Sequence, residues 1–201
     1  MRLVIPDTAE VHRTTIQFGR EFTDAELREF SGLNPGFVTE RVGKESVTMS
    51  PSGGESSRRS VRLMRQLDDW ASAREDGEVY GSEAGFRLAD GSVLAPDAAW
   101  VSSARLAGVP AELLSDFLPV APDLVIEVLS PSDRLADARR KCERWIDSGV
   151  RAAMLVDAEQ RRTEVFLAGS PAVVTDAIHI AIPGFADLAF DMADVWRGPR
   201  R

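Results

Sequence analysis

The sequence predicts an α/β fold, and three observations carry that reading. Residues 124–129 (LVIEVL) are apolar on both faces except for Glu127, the pattern of a fully buried central strand. An amphipathic helix over 134–148 follows, and then a further strand pair within AAMLVDAEQRRTEVFLAG. Two stretches upstream, 37–51 and 85–102, read as β-hairpins.

The elements are justified in chain order. Residues 1–20 carry little periodic signal. FTDAELREFSGLNPG predicts a helix, with Thr23 as N-cap and Glu26 three residues on completing a capping box. Asn34-Pro35-Gly36 stops it. In FVTERVGKESVTMSP two β-rich runs flank Gly43 and Lys44, and period two sets Val38, Glu40 and Val42 on one face. A carboxylate between valines on a buried face needs a partner or a metal. A loop at PSGGESSRRS leads into a helix of about residues 56–75 whose stripe is Leu63, Met64, Leu67, Trp70 and Ala71. Arg58, Arg59, Arg62 and Arg65 decorate its first turns, where they oppose the macrodipole. The favoured reading of these arginines is a solvated face paired with nearby acids, rather than an anion site.

GFRLADGSVLAPDAAWVS predicts a hairpin turned by Asp90 and Gly91, with Val93, Ala95, Asp97, Ala99 and Val101 on one face of its second strand. Pro96 marks a bulge or strand edge, a place where a side chain is re-aimed. On the helix over 134–148, Ser132 or Asp133 is the expected N-cap. Its inner stripe is Leu135, Ala138, Cys142, Trp145 and Ile146, and Gly149 stands at the C-terminal cap. Lys141 and Arg139 flank that stripe, and periodicity does not choose between them. Lys141 suits phosphate chemistry better, as a compact point charge. A closing strand and short helix fill IPGFADLAFDMADVW, and RGPRR is expected to be a disordered tail.

The 201 residues, with 44% hydrophobic and 28% charged, fit a single domain that spans the chain and has a core of its own. No run approaches the ~18 apolar residues of a membrane span. The N-terminus meets Pro and acids too early for a secretory signal. One cysteine, Cys142, excludes an internal disulfide, so a cytoplasmic location is expected. It reads as a small buried hydrophobe. The net charge of −8 argues against tight non-specific nucleic-acid binding. Asp123 reads as a residue at the start of a strand and Asp157 as a turn residue. His12 and His179 lack metal-ligand spacing, and the four tryptophans read as core or interface anchors.

Two acids and a lysine remain: Asp97, Glu127 and Lys141. Carboxylates on neighbouring strands can hold Mg²⁺ through oxygen ligands, and a lysine can orient water or stabilise charge on phosphorus. That chemistry is metal-dependent phosphodiester hydrolysis.

The same residues carry a resemblance. TERVGKESVTMSP, APDAAWVS, APDLVIEVLSPSD, RRKCERWIDSGV and LVDAEQRRTEVF together resemble the Uma-two family of restriction-endonuclease-like proteins, within the PD-(D/E)XK nuclease superfamily. The resemblance covers about residues 25–190 and implies a restriction-endonuclease-like mixed β-sheet flanked by α-helices. It implies Mg²⁺ or Mn²⁺ held by Asp97, Glu127 and the Val128 carbonyl, with Lys141 catalytic and Glu40 matching the acid of the early strand. A DNA substrate and a homodimer follow as expectations, the dimer because two sites cut two strands most simply. The sequence departs from the superfamily pattern at Leu129, where acid-x-Lys would put a lysine. The lysine is displaced onto the helix as Lys141. A His that many relatives carry is absent, and Glu55 or Ser56 stands near its place. Trp145 occupies a position where Tyr is common. The alternative to an endonuclease is a nuclease-fold module without turnover that binds DNA or a protein partner. A two-carboxylate glycosidase fits less well, since it leaves Lys141 and the Pro-Asp pair unexplained.

Overall fold

The structure is a computed structural model, and it describes residues 13–35, 37–43, 45–49, 53–131 and 133–199. Lys44 and Ser132, one an expected turn residue and the other an expected cap, lie outside the described residues, as do His12 and the last two residues of the tail. The chain opens with strand β1 (Arg13–Gln17), helix α1 (Asp24–Leu33) and the hairpin β2 (Val38–Val42) and β3 (Glu45–Met49). Helix α2 (Gly54–Ser72), strand β4 (Gly77–Gly81) and the short pair β5 (Phe86–Arg87) and β6 (Val93–Leu94) follow. Then come β7 (Ala98–Ser102), α3 (Ser103–Leu106), β8 (Leu124–Val128) and α4 (Leu135–Asp147). The remainder is β9 (Ala152–Asp157), β10 (Arg162–Leu167), β11 (Ser170–Thr175), β12 (His179–Ala181), β13 (Ala189–Asp191) and α5 (Met192–Trp196).

Two sheets organise these elements. The larger has the order β11-β10-β9-β8-β7-β4, and the smaller β1-β3-β2-β6-β5. The larger sheet is mixed, since β8 and β9 run parallel while their other neighbours pair antiparallel. The parallel pair needs a crossover, and α4 supplies it. This is the mixed α/β architecture that the alternation of strands and amphipathic helices predicts.

Helices cover both faces of the larger sheet. Leu63, Leu67 and Ala71 of α2 pack with Ala98, Trp100, Leu124, Ile126 and Met154. Cys142 and Trp145 of α4 pack on the opposite face with Ala99, Val101, Val125, Ala153 and Leu155. Alternation along β8 thus sends Leu124 and Ile126 toward α2, and Val125 and Glu127 toward α4. Each fully buried aliphatic side chain contributes about 1.5–3 kcal/mol.

Local chemistry explains most boundaries. Thr23 and Glu26 form the expected capping box at the start of α1. Gly91, at φ 83°, turns the β5–β6 hairpin, and Gly149, at φ 94°, follows the C-cap of α4. One cap differs. Asp133 does not cap α4, whose N-cap is Arg134 without a side-chain bond. Its carboxylate instead accepts from the Ser130 backbone N–H (2.9 Å) and hydroxyl (2.7 Å), closing the loop after β8.

A second difference concerns Val93–Val101, which the alternation predicts as one strand. The chain instead leaves the smaller sheet after Leu94 and enters the larger one at Ala98. Pro96 lies in the gap, where it has no N–H to give a ladder. Arg41 of β2 ties the β5–β6 turn to the start of α1: its guanidinium donates to the carbonyls of Phe22 (2.7 Å) and Gly91 (2.6 Å) and pairs with Asp24 (2.8 Å). Among the described residues no helix is long and apolar enough to cross a membrane.

Candidate active site

The break at Pro96 creates the site. Ala98 pairs with Ile126, so the next step outward would set Asp97 against Glu127 and Pro96 against Val128. With no backbone partner there, the Val128 N–H donates to Asp97 Oδ2 at 2.7 Å. A side chain replaces the missing rung of the ladder, which fixes Asp97 beside the end of β8. Ser60 of α2 stands 3.5 Å from Asp97 Oδ1 and 3.1 Å from the Ser56 carbonyl, and its single proton serves one at a time.

Glu127 faces α4. Its Oε1 accepts from the Trp145 indole N–H at 2.8 Å, and its Oε2 accepts from Lys141 Nζ at 2.9 Å. The same ammonium is 2.9 Å from Oε1. Lys141 also donates to the Ala95 carbonyl (2.8 Å) and pairs with Glu40 Oε1 (2.8 Å). Glu40 reaches in from β2 and accepts from the Ala95 N–H at 3.0 Å. The structure therefore gathers Glu40, Asp97, Glu127 and Lys141, whose acids come from three separate strands or their junctions.

Lys141, and not Arg139, is the cation of this cluster. Arg139 turns away and binds Glu164 of β10 in a bidentate pair, at 2.8 and 2.6 Å. All three protons of the ammonium have acceptors: the Ala95 carbonyl, Glu40 and Glu127. An N–H for water or phosphate therefore becomes free only when one of these acceptors lets go.

Electrostatics show an excess of negative charge. Glu40 is 1% and Glu127 8% exposed, and a single ammonium faces both together with Asp97. Burial pushes the Glu127 carboxyl up to about 7, against the pull of Lys141 and with the push of Asp97 and Glu40. Burial also raises Asp97, opposed by the Val128 N–H and Lys141. Lys141 is lowered by its own burial but raised further by Glu127 and Glu40, and it stays charged.

Asp97, Glu127 and Lys141 line a cleft of about 1140 Å³ between the first turns of α2, the segment after β4 and the loop after β8, and Glu40 is not part of that lining. Its ionisable lining is Glu83, Asp97, Glu127, Asp133 and Lys141, four acids and one base. Val128 also lines it. Such a lining suits a hard divalent cation, because its donors are carboxylate and carbonyl oxygens and its charge is under-compensated. Among the described residues no three His, Cys, Asp or Glu side chains are gathered into a cage. An ion held by two carboxylates would complete its shell with water or substrate oxygens, as Mg²⁺ commonly does.

The other residues named from sequence have structural partners. Glu55 pairs with Arg58 (2.8 Å) and Arg59 (3.7 Å) and is absent from the cleft lining, where Ser57 and Ser60 stand instead. Arg62 and Arg65 pair with Asp194, and Arg65 with Asp69 as well, so the arginine patch is a paired face. Asp123 accepts from the Ser102 N–H at the start of β8 and pairs with Arg105, and Asp157 accepts from Glu159 and Gln160 in a turn. His179 is exposed on β12. Trp145 was legible as a core anchor but not as a partner of Glu127. The signal was its spacing, one helical turn beyond Lys141 on the same face.

No curated protein matches the chain. A crystal structure from Anabaena variabilis ATCC 29413, described as "a putative nuclease belonging to DUF820", superposes with a TM-score of 0.72. It shares 17% identity and covers 88% of this chain and 98% of its own, a likeness of fold. The family model Uma2, described as "Putative restriction endonuclease", matches residues 22–193. The chain, with its mixed sheet, its split second hairpin and its acidic cleft, belongs to the Uma2 family.

Proposed function

We propose that the protein is a metal-dependent DNA endonuclease that hydrolyses phosphodiester bonds with water as the nucleophile. The observation that supports this best is the convergence of Asp97, Glu127 and Lys141 on the lining of one cleft in a chain of this family. Asp97, Glu127 and the Val128 carbonyl would hold Mg²⁺ or Mn²⁺. Once bound, the ion supplies Lewis acidity, polarising a phosphoryl group and making a nearby water acidic.

The chain's own residues do the rest. Asp97 and Glu127 present carboxylates held in place by the Val128 N–H, Trp145 and Lys141. Glu40 and the Ala95 carbonyl hold Lys141 Nζ at its post. The N–H that Lys141 gives to Glu127 is the one available to a water or a phosphoryl oxygen when Glu127 is otherwise engaged. That N–H stabilises charge developing on phosphorus. With four acids in the cleft, a polyanion can approach only once positive charge has been added. A homodimer would give one site per strand, and light scattering reading twice the 22.0 kDa chain mass would support it.

A second reading has its own support. Lys141 has no free proton and the cleft is acidic, as in a nuclease-fold module that binds without turnover. Nicking of supercoiled plasmid in Mg²⁺ or Mn²⁺ separates the two, with Glu127→Ala and Lys141→Ala as controls. The endonuclease reading expects metal-dependent nicking that both substitutions abolish. Nicking that survives Glu127→Ala would overturn the site, and no nicking on duplex, branched or single-stranded DNA would favour the binding module.

A further inference from the structure

Helix α4 offers Glu127 two donors one turn apart, Lys141 and Trp145. Lys141 has an ammonium that would seek acidic partners in any arrangement. Trp145 is different. It is fully buried, and an indole needs no carboxylate to be buried, yet its one polar atom points at Glu127 Oε1 at 2.8 Å. A buried indole elsewhere in this chain does without such a bond: among the described residues the Trp100 N–H, also buried, has no partner. A carboxylate oxygen accepts in about two in-plane directions. Oε1 holds the Trp145 bond and Oε2 the Lys141 bond, with the ammonium also 2.9 Å from Oε1. Each oxygen therefore keeps one direction open.

We infer that Trp145 is the positioning residue of Glu127: its indole N–H fixes the carboxylate rotamer in which the remaining acceptor directions can meet a cation. This rests on reading Glu127 as a metal ligand. The ring is anchored independently, edge-on to Phe86 with centroids 6.2 Å apart and packed among Cys142, Ala99 and Leu155. The donor is therefore rigid, and it holds the carboxylate still before any ion arrives. Groups that orient a metal ligand in this way change metal affinity by about 10–100-fold when removed.

The test is Trp145→Phe, which keeps an aromatic ring and deletes the N–H. Mn²⁺ affinity is measured by titration calorimetry on folded protein, with thermal unfolding measured alongside. Affinity is expected to fall by about tenfold or more. A variant that melts earlier but binds Mn²⁺ as tightly as wild type would overturn the inference, leaving Trp145 as packing. Wild-type protein that takes up no Mn²⁺ would overturn the metal reading itself, and this inference with it.

Should Trp145→Phe fail to fold, the indole N–H resonances of ¹⁵N-tryptophan-labelled wild type and Glu127→Gln protein give a second readout. One indole resonance is expected to move in Glu127→Gln, and the same one on adding Mg²⁺ to wild type. Four indole resonances unmoved by both changes would overturn the inference.

Discussion

Replacing Lys141 with Met deletes one charge and keeps the apolar stem, and the structure sets the size and the pH profile of the loss. In wild type the Glu127 carboxyl titrates near 7 rather than near 4.5. A raised folded value means that its contribution to stability is fully present below about 4.5 and is lost as pH rises through 7. That rise corresponds to roughly 3 kcal/mol across that window. Lys141 is what keeps the loss from being larger. Without it the carboxyl rises further, and Glu40 loses its ammonium as well. Removing one member of a buried ion pair costs about 3–5 kcal/mol when the other stays charged. At pH 8 the variant should therefore melt about 6–20 °C below wild type, at ~2–4 °C per kcal/mol for a chain of this size. At pH 5 protonation neutralises the stranded carboxyl, and the deficit should shrink to about 1 kcal/mol. The assay is thermal unfolding from pH 5 to 8 in a metal chelator. An equal deficit at both ends of the range would refute the electrostatic account and leave only packing.

Two further outcomes follow from local geometry. Cys142 is fully buried, and burial pushes its thiol well above the ordinary range. Ellman's reagent should therefore find no thiol in native protein and one after denaturation, and rapid labelling of native protein would contradict that burial. Gly77 pairs with Ser102 at the edge of the larger sheet, and a Cβ there would lie 2.5 Å from the Val101 carbonyl oxygen and 2.6 Å from the Trp100 indole. Gly77→Ala should cost about 1–3 kcal/mol, read as a lower melting temperature, and an unchanged melting curve would show that the strand gives way freely.

Much of the site could be read from sequence because its acids break a local pattern. Glu127 interrupts an apolar run and proves to face α4 as alternation requires, and Asp97 follows a proline and is turned onto the Val128 N–H. The same kind of pattern misleads elsewhere. Glu164 also interrupts an apolar strand, yet it is a structural partner of Arg139. Lys141 and Arg139 flank one stripe symmetrically, and only the neighbours across the sheet decide which reaches Glu127. The transfer of the chain between sheets at Pro96 was invisible because alternation continues smoothly through Val93–Val101 while the hydrogen-bond partners change. Strands β1, β4, β11 and β12 were not read, since they are short and mostly exposed or polar where described, and pairing rather than composition makes them strands.

The ammonium of Lys141 touches Glu40 on one sheet, Glu127 on the other and the Ala95 carbonyl on the segment between them. It works as a rivet through a seam. Any sliding of one sheet over the other must first tear a charged bond at this single atom. Inheritance is constrained accordingly: a lineage that gave up cleavage would still be held to this lysine by the integrity of its frame. Its retention in an inactive descendant would thus say nothing about chemistry.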